Sequence, residues 1–162
     1  MDNQKLNILK NSFEGEVLYD DSTRLIYATD ASAYREIPTA VTFPKSAKDI
    51  KTLIAFAREN KIGIIPRTAG TSLAGQVVGN GIVADVSKHW GEILEINKEE
   101  HWVRVQPGVV LDELNMKLAE YGLFFGPETS TSNRCMMGGC WETTLVGHVR
   151  LFTAAPATIP LK

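Results

Sequence analysis

Cysteine is scarce: the 162-residue chain holds only Cys135 and Cys140. A disulfide-stapled scaffold is therefore excluded, and a reducing, cytoplasmic setting is the default expectation. Histidine is scarcer than a metal centre wants. His89, His101 and His148 are scattered, the two thiols have a C-x4-C spacing, and no metal site is expected from so poor a ligand set. None of the three histidines is assigned a catalytic role. No apolar run approaches the roughly 20 residues of a membrane span. The opening MDNQKLNILK lacks the charged-then-apolar layout of a secretory signal. There is no excess of positive charge, with 17 Lys and Arg against 19 Asp and Glu, which disfavours binding nucleic acid by phosphate neutralisation. Internal repeats and low-complexity tracts are also missing.

What is present is ordinary globular composition, 44% hydrophobic and 22% charged, in a chain long enough for one domain or two small lobes. Leu6, Leu9 and Phe13 mark one side of a short helix near the start. Pro38 and Pro44 bracket a strand at Thr39–Phe43. The clearest helix is Ser46–Glu59, with Ser46 as N-cap and Asp49 at the capping-box position. Its Ile50, Leu53, Ile54 and Ala57 follow the spacing of one buried face. Strands are expected at Ile62–Ile65, Ile82–Asp85, Glu92–Asn97 and Trp102–Gln106. A second helix is expected at Leu111–Tyr121, burying Leu111, Leu114 and Leu118 and stopped by Gly122. Asp112 and Glu113 suit the positive end of that helix and need no catalytic explanation. The order of elements is that of an α+β fold.

The most informative stretch is I-I-P-R-T-A-G-T-S-L-A-G-Q, Ile64–Gln76. A strand runs into small residues that let the backbone approach a ligand closely, so that successive N–H groups converge on an anion. Thr71 and Ser72 add hydroxyls and Arg67 a positive charge, the parts needed to cradle a pyrophosphate. No Gly-Lys-Ser/Thr follows, so this is not a Walker loop, and no G-x-G-x-x-G opens a helix. An ordinary surface loop has the same composition. A second polar stretch, G-P-E-T-S-T-S-N-R from Gly126 to Arg134, precedes M-M-G-G. Its hydroxyls suit a ribityl or phosphate chain, and it also fits a plain helix-to-strand connection.

Taken together these stretches resemble the flavin-binding domain of the FAD-linked oxidases, the FAD-binding PCMH-type (vanillyl-alcohol-oxidase-like) family, in its D-lactate dehydrogenase and glycolate oxidase branch. The family's P-R-G-G-G-T-S/N-L-x-G stands here as P-R-T-A-G-T-S-L-A-G. The likeness continues through G-I-V-A-D-V-S, I-L-E-I-N, W-V-R-V-Q-P-G-V-V-L-D-E-L-N and G-L-F-F-G-P-E-T-S-T-S-N-R-C-M-M-G-G, while A-T-D-A-S-A-Y-R-E-I-P resembles members fused to an iron–sulfur domain. The resemblance implies a mixed sheet with flanking helices and FAD as cofactor. It assigns the pyrophosphate to Arg67, Thr68, Ala69, Gly70, Thr71, Ser72, Gly75 and Gln76. A second flavin-binding segment falls on Pro127, Glu128, Thr131, Ser132, Gly138 and Gly139. Thr68 and Ala69 replace family glycines and add Cβ atoms that restrict positive φ.

After Gly139 the match stops. The family continues close to M-x-G-N-N-S-C-G-A-R-S, whereas this chain reads C-W-E-T-T-L-V-G-H-V-R. Read one nucleotide out of step, the Trp141 and Glu142 codons force Gly, and the following junctions allow Asn, Asn, Ser, Cys, Gly, Ala, Arg and Ser in order. One missing nucleotide after the Gly139 codon accounts for Cys140–Lys162. The expected organisation is a lead segment 1–30, a flavin-binding domain 31–139 truncated in its second lobe, and a shifted tail 140–162.

The resemblance implies a fragment of a flavin-dependent dehydrogenase of a 2-hydroxy acid such as D-lactate or glycolate. The chain alone is expected to be inactive, largely FAD-free as purified, and self-associating as a homo-oligomer. Two alternatives stand beside this reading. One is a non-catalytic fragment or interaction module, which would be colourless. The other is a reductase of the enolpyruvyl-UDP-N-acetylglucosamine type, which would reduce flavin with NADPH.

Overall fold

The computed structural model describes residues 2–127, 129–144 and 157–160. The chain divides into two compact units, Met1–His89 and Trp90–Lys162.

The first unit opens with α1 (Asn3–Asn11), capped by the Asp2 carboxylate on the Gln4 N–H. Leu6 and Leu9 point inward, and Phe13 follows just past the helix. Two short elements come next that periodicity does not reveal, β1 (Glu16–Leu18) and α2 (Asp21–Ile26). Then come β2 (Ala40–Phe43), α3 (Ala47–Asn60), β3 (Ile64–Arg67) and β4 (Ile82–Asp85). The sheet order is β1-β2-β4-β3. β1 lies antiparallel to β2, and β4 sits parallel between β2 and β3. β4 is paired on both sides and every residue of it is buried, the apolar run Ile82–Ala84 and the polar Asp85 alike. Leu6, Leu9, Phe13, Val17, Ala40, Leu53, Ile82 and Ala84 form the core.

Helix α3 begins as the sequence indicates, with Ser46 Oγ accepting from the Asp49 N–H at 3.3 Å. Its buried face is rotated from the expected one. Ile54 is 53% exposed, while Asp49, Leu53 and Ala57 are buried. The cause is Asp49. Instead of closing a capping box on Ser46, its carboxylate is fully buried and accepts the N–H groups of Glu14, Gly15 and Lys45 at 2.8, 2.9 and 2.9 Å. Gly15 is required there, since a Cβ would lie 2.0 Å from the Phe43 carbonyl oxygen. Past α3, Lys61 turns left-handed at φ 53° and the Ile62 N–H returns to the Ala57 carbonyl. Residues 61–63 therefore serve the helix end, and β3 starts two residues later than expected.

The second unit contains β5 (Ile93–Asn97), β6 (Trp102–Val105), α4 (Leu111–Ala119), α5 (Met137–Thr144) and β7 (Ala157–Pro160). β6 pairs antiparallel with β5 and β7. Val103 and Val105 of β6 join Leu111, Leu114 and Leu118 of α4, with Phe125, Cys135 and Met137, in one cluster. Gly122 follows α4 at φ 71°, where only glycine is unstrained. Of the tail 140–162, residues 145–156, 161 and 162, His148 among them, lie outside the described residues. No helix among the described residues is long and apolar enough to cross a membrane.

Candidate functional site

In the first unit, β3 delivers the chain at Arg67 into the connection 68–81 that returns as β4. β3 and β4 are adjacent and parallel, so this connection must run back along the sheet, and it does so without a helix. Gly70 and Gly75 have φ of 68° and 74°, the two left-handed turns that shape the loop. Thr68 and Ala69 are not in that region, so their Cβ atoms strain nothing. The Gly70 carbonyl is tied down by the Ala31 N–H at 3.1 Å, and the Gln76 N–H donates to Ser72 Oγ at 3.3 Å. The N–H groups of Thr68, Ala69, Gly70, Thr71 and Ser72 donate to no atom among the described residues. A run of five backbone donors with no protein partner is an arrangement that can take an anion.

Beneath the loop lies a network that joins Arg67 to residues the sequence did not single out, Tyr27, Asp85 and Ser87. The Arg67 guanidinium sits over the Tyr27 ring, 5.0 Å from its centroid, and Arg67 Nη1 donates to the Tyr27 carbonyl at 3.4 Å. The Tyr27 hydroxyl donates to Asp85 Oδ2 at 2.6 Å. Asp85 is buried, and its Oδ1 accepts from the Ser87 N–H and hydroxyl at 2.7 and 2.6 Å. Burial, then the Asp85 carboxylate, pushes the Tyr27 phenol above its ordinary range, so it stays protonated. The only signals for Tyr27 and Asp85 were their places in L-I-Y-A-T-D and V-A-D-V-S, which suggest no role.

In the second unit, Pro127, Thr129 and Ser132 line a cleft of about 340 Å³ with Asp112, Asn115 and Phe124. Asn115 fixes its edge, accepting the Phe125 N–H at 2.8 Å and donating to the Phe125 carbonyl at 3.4 Å. The segment joins α4 to α5, a helix-to-helix connection where the sequence suggested helix-to-strand. Part of its backbone is already paired, while the N–H groups of Thr129, Ser130, Thr131 and Asn133 donate to no atom among the described residues. The Ser132 carbonyl takes the Asp112 N–H, and the Ser132 N–H donates to Thr129. The Gly138 N–H donates to Pro107 at 2.8 Å and the Gly139 N–H to Met136 at 3.0 Å. Gly138 and Gly139 thus lie in the first turns of α5, and Glu128 lies outside the described residues. The Cys135 and Cys140 thiols are buried 3.4 Å apart. Burial, then the neighbouring Cys135, pushes the Cys140 thiol up to about 12. No group of three or more His, Cys, Asp or Glu among the described residues could hold a metal ion.

Comparison with known proteins sets these features in a family. The FAD binding domain family matches residues 38–155. The D-2-hydroxyglutarate dehydrogenase of Pseudomonas putida is 47% identical over 147 residues, which cover 88% of this chain and 15% of that protein. The glycolate oxidase subunit GlcD of Bacillus subtilis is 34% identical over 126 residues, covering 75% of this chain and 27% of that protein. Among solved structures, p-cresol methylhydroxylase superposes with a TM-score of 0.70 at 15% identity, over 82% of this chain and 28% of that one. An alkyldihydroxyacetonephosphate synthase gives 0.72 at 18% identity, over 86% and 31%. At those identities the likeness is one of fold, and it is the expected PCMH-type fold. The chain spans about a seventh of the length of the D-2-hydroxyglutarate dehydrogenases it matches.

Proposed function

The chain belongs to the FAD binding domain family, whose cofactor is FAD, and on that premise we propose that its glycine-rich loop holds the FAD pyrophosphate for an enzyme that oxidises a 2-hydroxy acid. The observation that carries this is the run of unpaired N–H groups from Thr68 to Ser72, shaped by left-handed Gly70 and Gly75. Arg67, Thr68, Ala69, Gly70, Thr71, Ser72, Gly75 and Gln76 form the pyrophosphate side of the proposal. FAD, when bound, supplies the two-electron acceptor; the chain's own residues bind and orient it. In the second unit, Pro127, Thr131, Ser132, Gly138 and Gly139 are the proposed flavin contacts, with Glu128 as a further one. With the Gly138 and Gly139 N–H groups already paired, the donors proposed there are the hydroxyls of Thr131 and Ser132 and the Thr131 N–H.

Relatives named for D-2-hydroxyglutarate, glycolate and D-lactate support a small 2-hydroxy acid as the substrate class of the whole protein. Cytoplasmic residence and homo-oligomerisation belong to the same proposal. Titration of the chain with FAD, followed by flavin fluorescence, tests the binding reading: saturable quenching supports it, and a linear, unsaturated signal contradicts it.

We further propose that Cys140–Lys162 is read one nucleotide out of frame. DNA sequence across the Gly139 codon tests this. Codons that permit the family residues in the shifted frame support it, and codons that forbid them overturn it.

A further inference from the structure

Arg67 is the only charged residue between Arg67 and Gly81, and its guanidinium is packed inside the loop's base. It lies 5.0 Å over the Tyr27 ring on one side. On the other it meets Gly70, where an added Cβ would stand 2.5 Å from Nη2. Tyr27 is itself anchored. Its hydroxyl donates to Asp85 Oδ2 at 2.6 Å, and Asp85 is the register partner of Arg67 across β3 and β4. Asp85 is held in turn by Ser87. The stack therefore runs from a buried carboxylate on the central strand, through a phenol, through a flat cation, to the backbone of the left-handed glycine.

We propose that Tyr27 is a positioning residue of the pyrophosphate loop, and that Arg67 acts as a wedge between the Tyr27 ring and Gly70 which sets the height of the loop's N–H groups. The proposal rests on reading this loop as the pyrophosphate cradle, but the wedge itself exists without ligand. A planar guanidinium stacks on an aromatic face and donates to a carbonyl at once; an ammonium cannot present that flat face. Removing the ring leaves Arg67 unsupported and the loop free to sag. Removing only the hydroxyl keeps the face and loosens its anchor.

The experiment compares the full chain with Tyr27→Leu and Tyr27→Phe by two readouts. Without ligand, tryptic cleavage after Arg67 is timed against cleavage after Lys61 and Lys88 in the same digest. With ligand, FAD affinity is measured by fluorescence. Tyr27→Leu is expected to speed cleavage after Arg67 about tenfold relative to the two control bonds and to weaken FAD binding about tenfold, of the order of a desolvated cation–aromatic contact. Tyr27→Phe is expected to stay within about threefold of the parent, of the order of one hydrogen bond. Unchanged cleavage after Arg67 in Tyr27→Leu, or equal acceleration at all three bonds, overturns the wedge. Selective cleavage in a chain that binds no FAD upholds the wedge and overturns the pyrophosphate reading instead. Should Tyr27→Leu fail to fold, Arg67→Lys takes its place. It keeps the charge and the tryptic site but loses the flat face, so faster cleavage at residue 67 supports the wedge and an unchanged rate overturns it.

Discussion

The loop 67–76 of the first unit and the segment 126–139 of the second are both rich in glycine and hydroxyl residues, yet they spend their backbones differently. In the first, five successive N–H groups have no partner among the described residues, while the carbonyl of Gly70 and the side chain of Arg67 are held from below. In the second, the N–H groups of Ser132, Arg134, Cys135, Met137, Gly138 and Gly139 all donate to carbonyls. Similar composition therefore does not mean similar chemistry. The second segment commits Ser132 and most amides after it to its own turns, and the run it leaves open among the described residues, Thr129–Thr131, is shorter than that of the first loop. A loop whose amides stay open offers a concentrated positive potential, suited to a pyrophosphate.

Four perturbations break or sharpen this contrast, from the largest effect to the smallest. Leu118 is fully buried in the second unit, and α4, on which it lies, takes the Cys135 and Ser132 carbonyls at its start. Leu118→Ala is expected to cost about 2–5 kcal/mol and to speed hydrogen exchange at the Cys135 and Gly138 amides. Unchanged exchange there would mean that the paired segment does not depend on α4.

Gly70→Val places a β-branched residue at φ 68° with its Cβ 2.5 Å from Arg67 Nη2. A strain of about 1–3 kcal/mol should appear as a loss of FAD affinity of about tenfold or more, with the far-ultraviolet circular dichroism retained. Ser132→Ala removes a hydroxyl without touching the backbone pairing, so a loss of about 0.5–1.5 kcal/mol in FAD binding is expected. A larger loss would show the second segment to be the main binding element. The exposed pair Arg104–Glu95, at 2.7 Å on β6 and β5, is the control: Arg104→Ala should change thermal stability by less than about 1 kcal/mol.

The thiols give a pH prediction for the same segment. With its pKa raised to about 12, Cys140 is protonated at every pH below that, and the thiolate is the reactive form. A thiol reagent at neutral pH should modify Cys140 slowly in the folded chain and readily after denaturation. Stability tied to the neutral thiol is present below the unfolded value and is lost as pH rises toward 12. Rapid modification of the native chain would contradict the buried placement.

The sequence was most legible where one local rule suffices. The Ser46 cap, the stop at Gly122 and the apolar run Ile82–Ala84 of β4 each follow from residues within a few positions. The glycine-rich loop was legible as a candidate because small residues leave a composition signature. The buried face of α3 was misplaced because Asp49 is drawn inward by the N–H groups of Glu14 and Gly15, 35 and 34 residues away. β1 was missed because three residues are too few to show alternation. The Asp20 cap of α2, on the Thr23 N–H at 2.9 Å, did stand in the sequence as D-D-S-T, where it reads equally as a solvated loop. Tyr27 escaped notice for the same reason as Asp49: its partners, Arg67 and Asp85, are 40 and 58 residues away.

The central claim is that the open amides of Thr68–Ser72, held in place by Gly70, bind the pyrophosphate of FAD. The most direct measurement is a parallel titration of the parent chain and Gly70→Val with FAD and with riboflavin, which lacks the pyrophosphate. The account predicts saturable FAD binding by the parent, a loss of about tenfold or more in Gly70→Val, and riboflavin binding that is weak and equal in both. Equal FAD affinity in the two chains, or riboflavin bound as tightly as FAD, would contradict it.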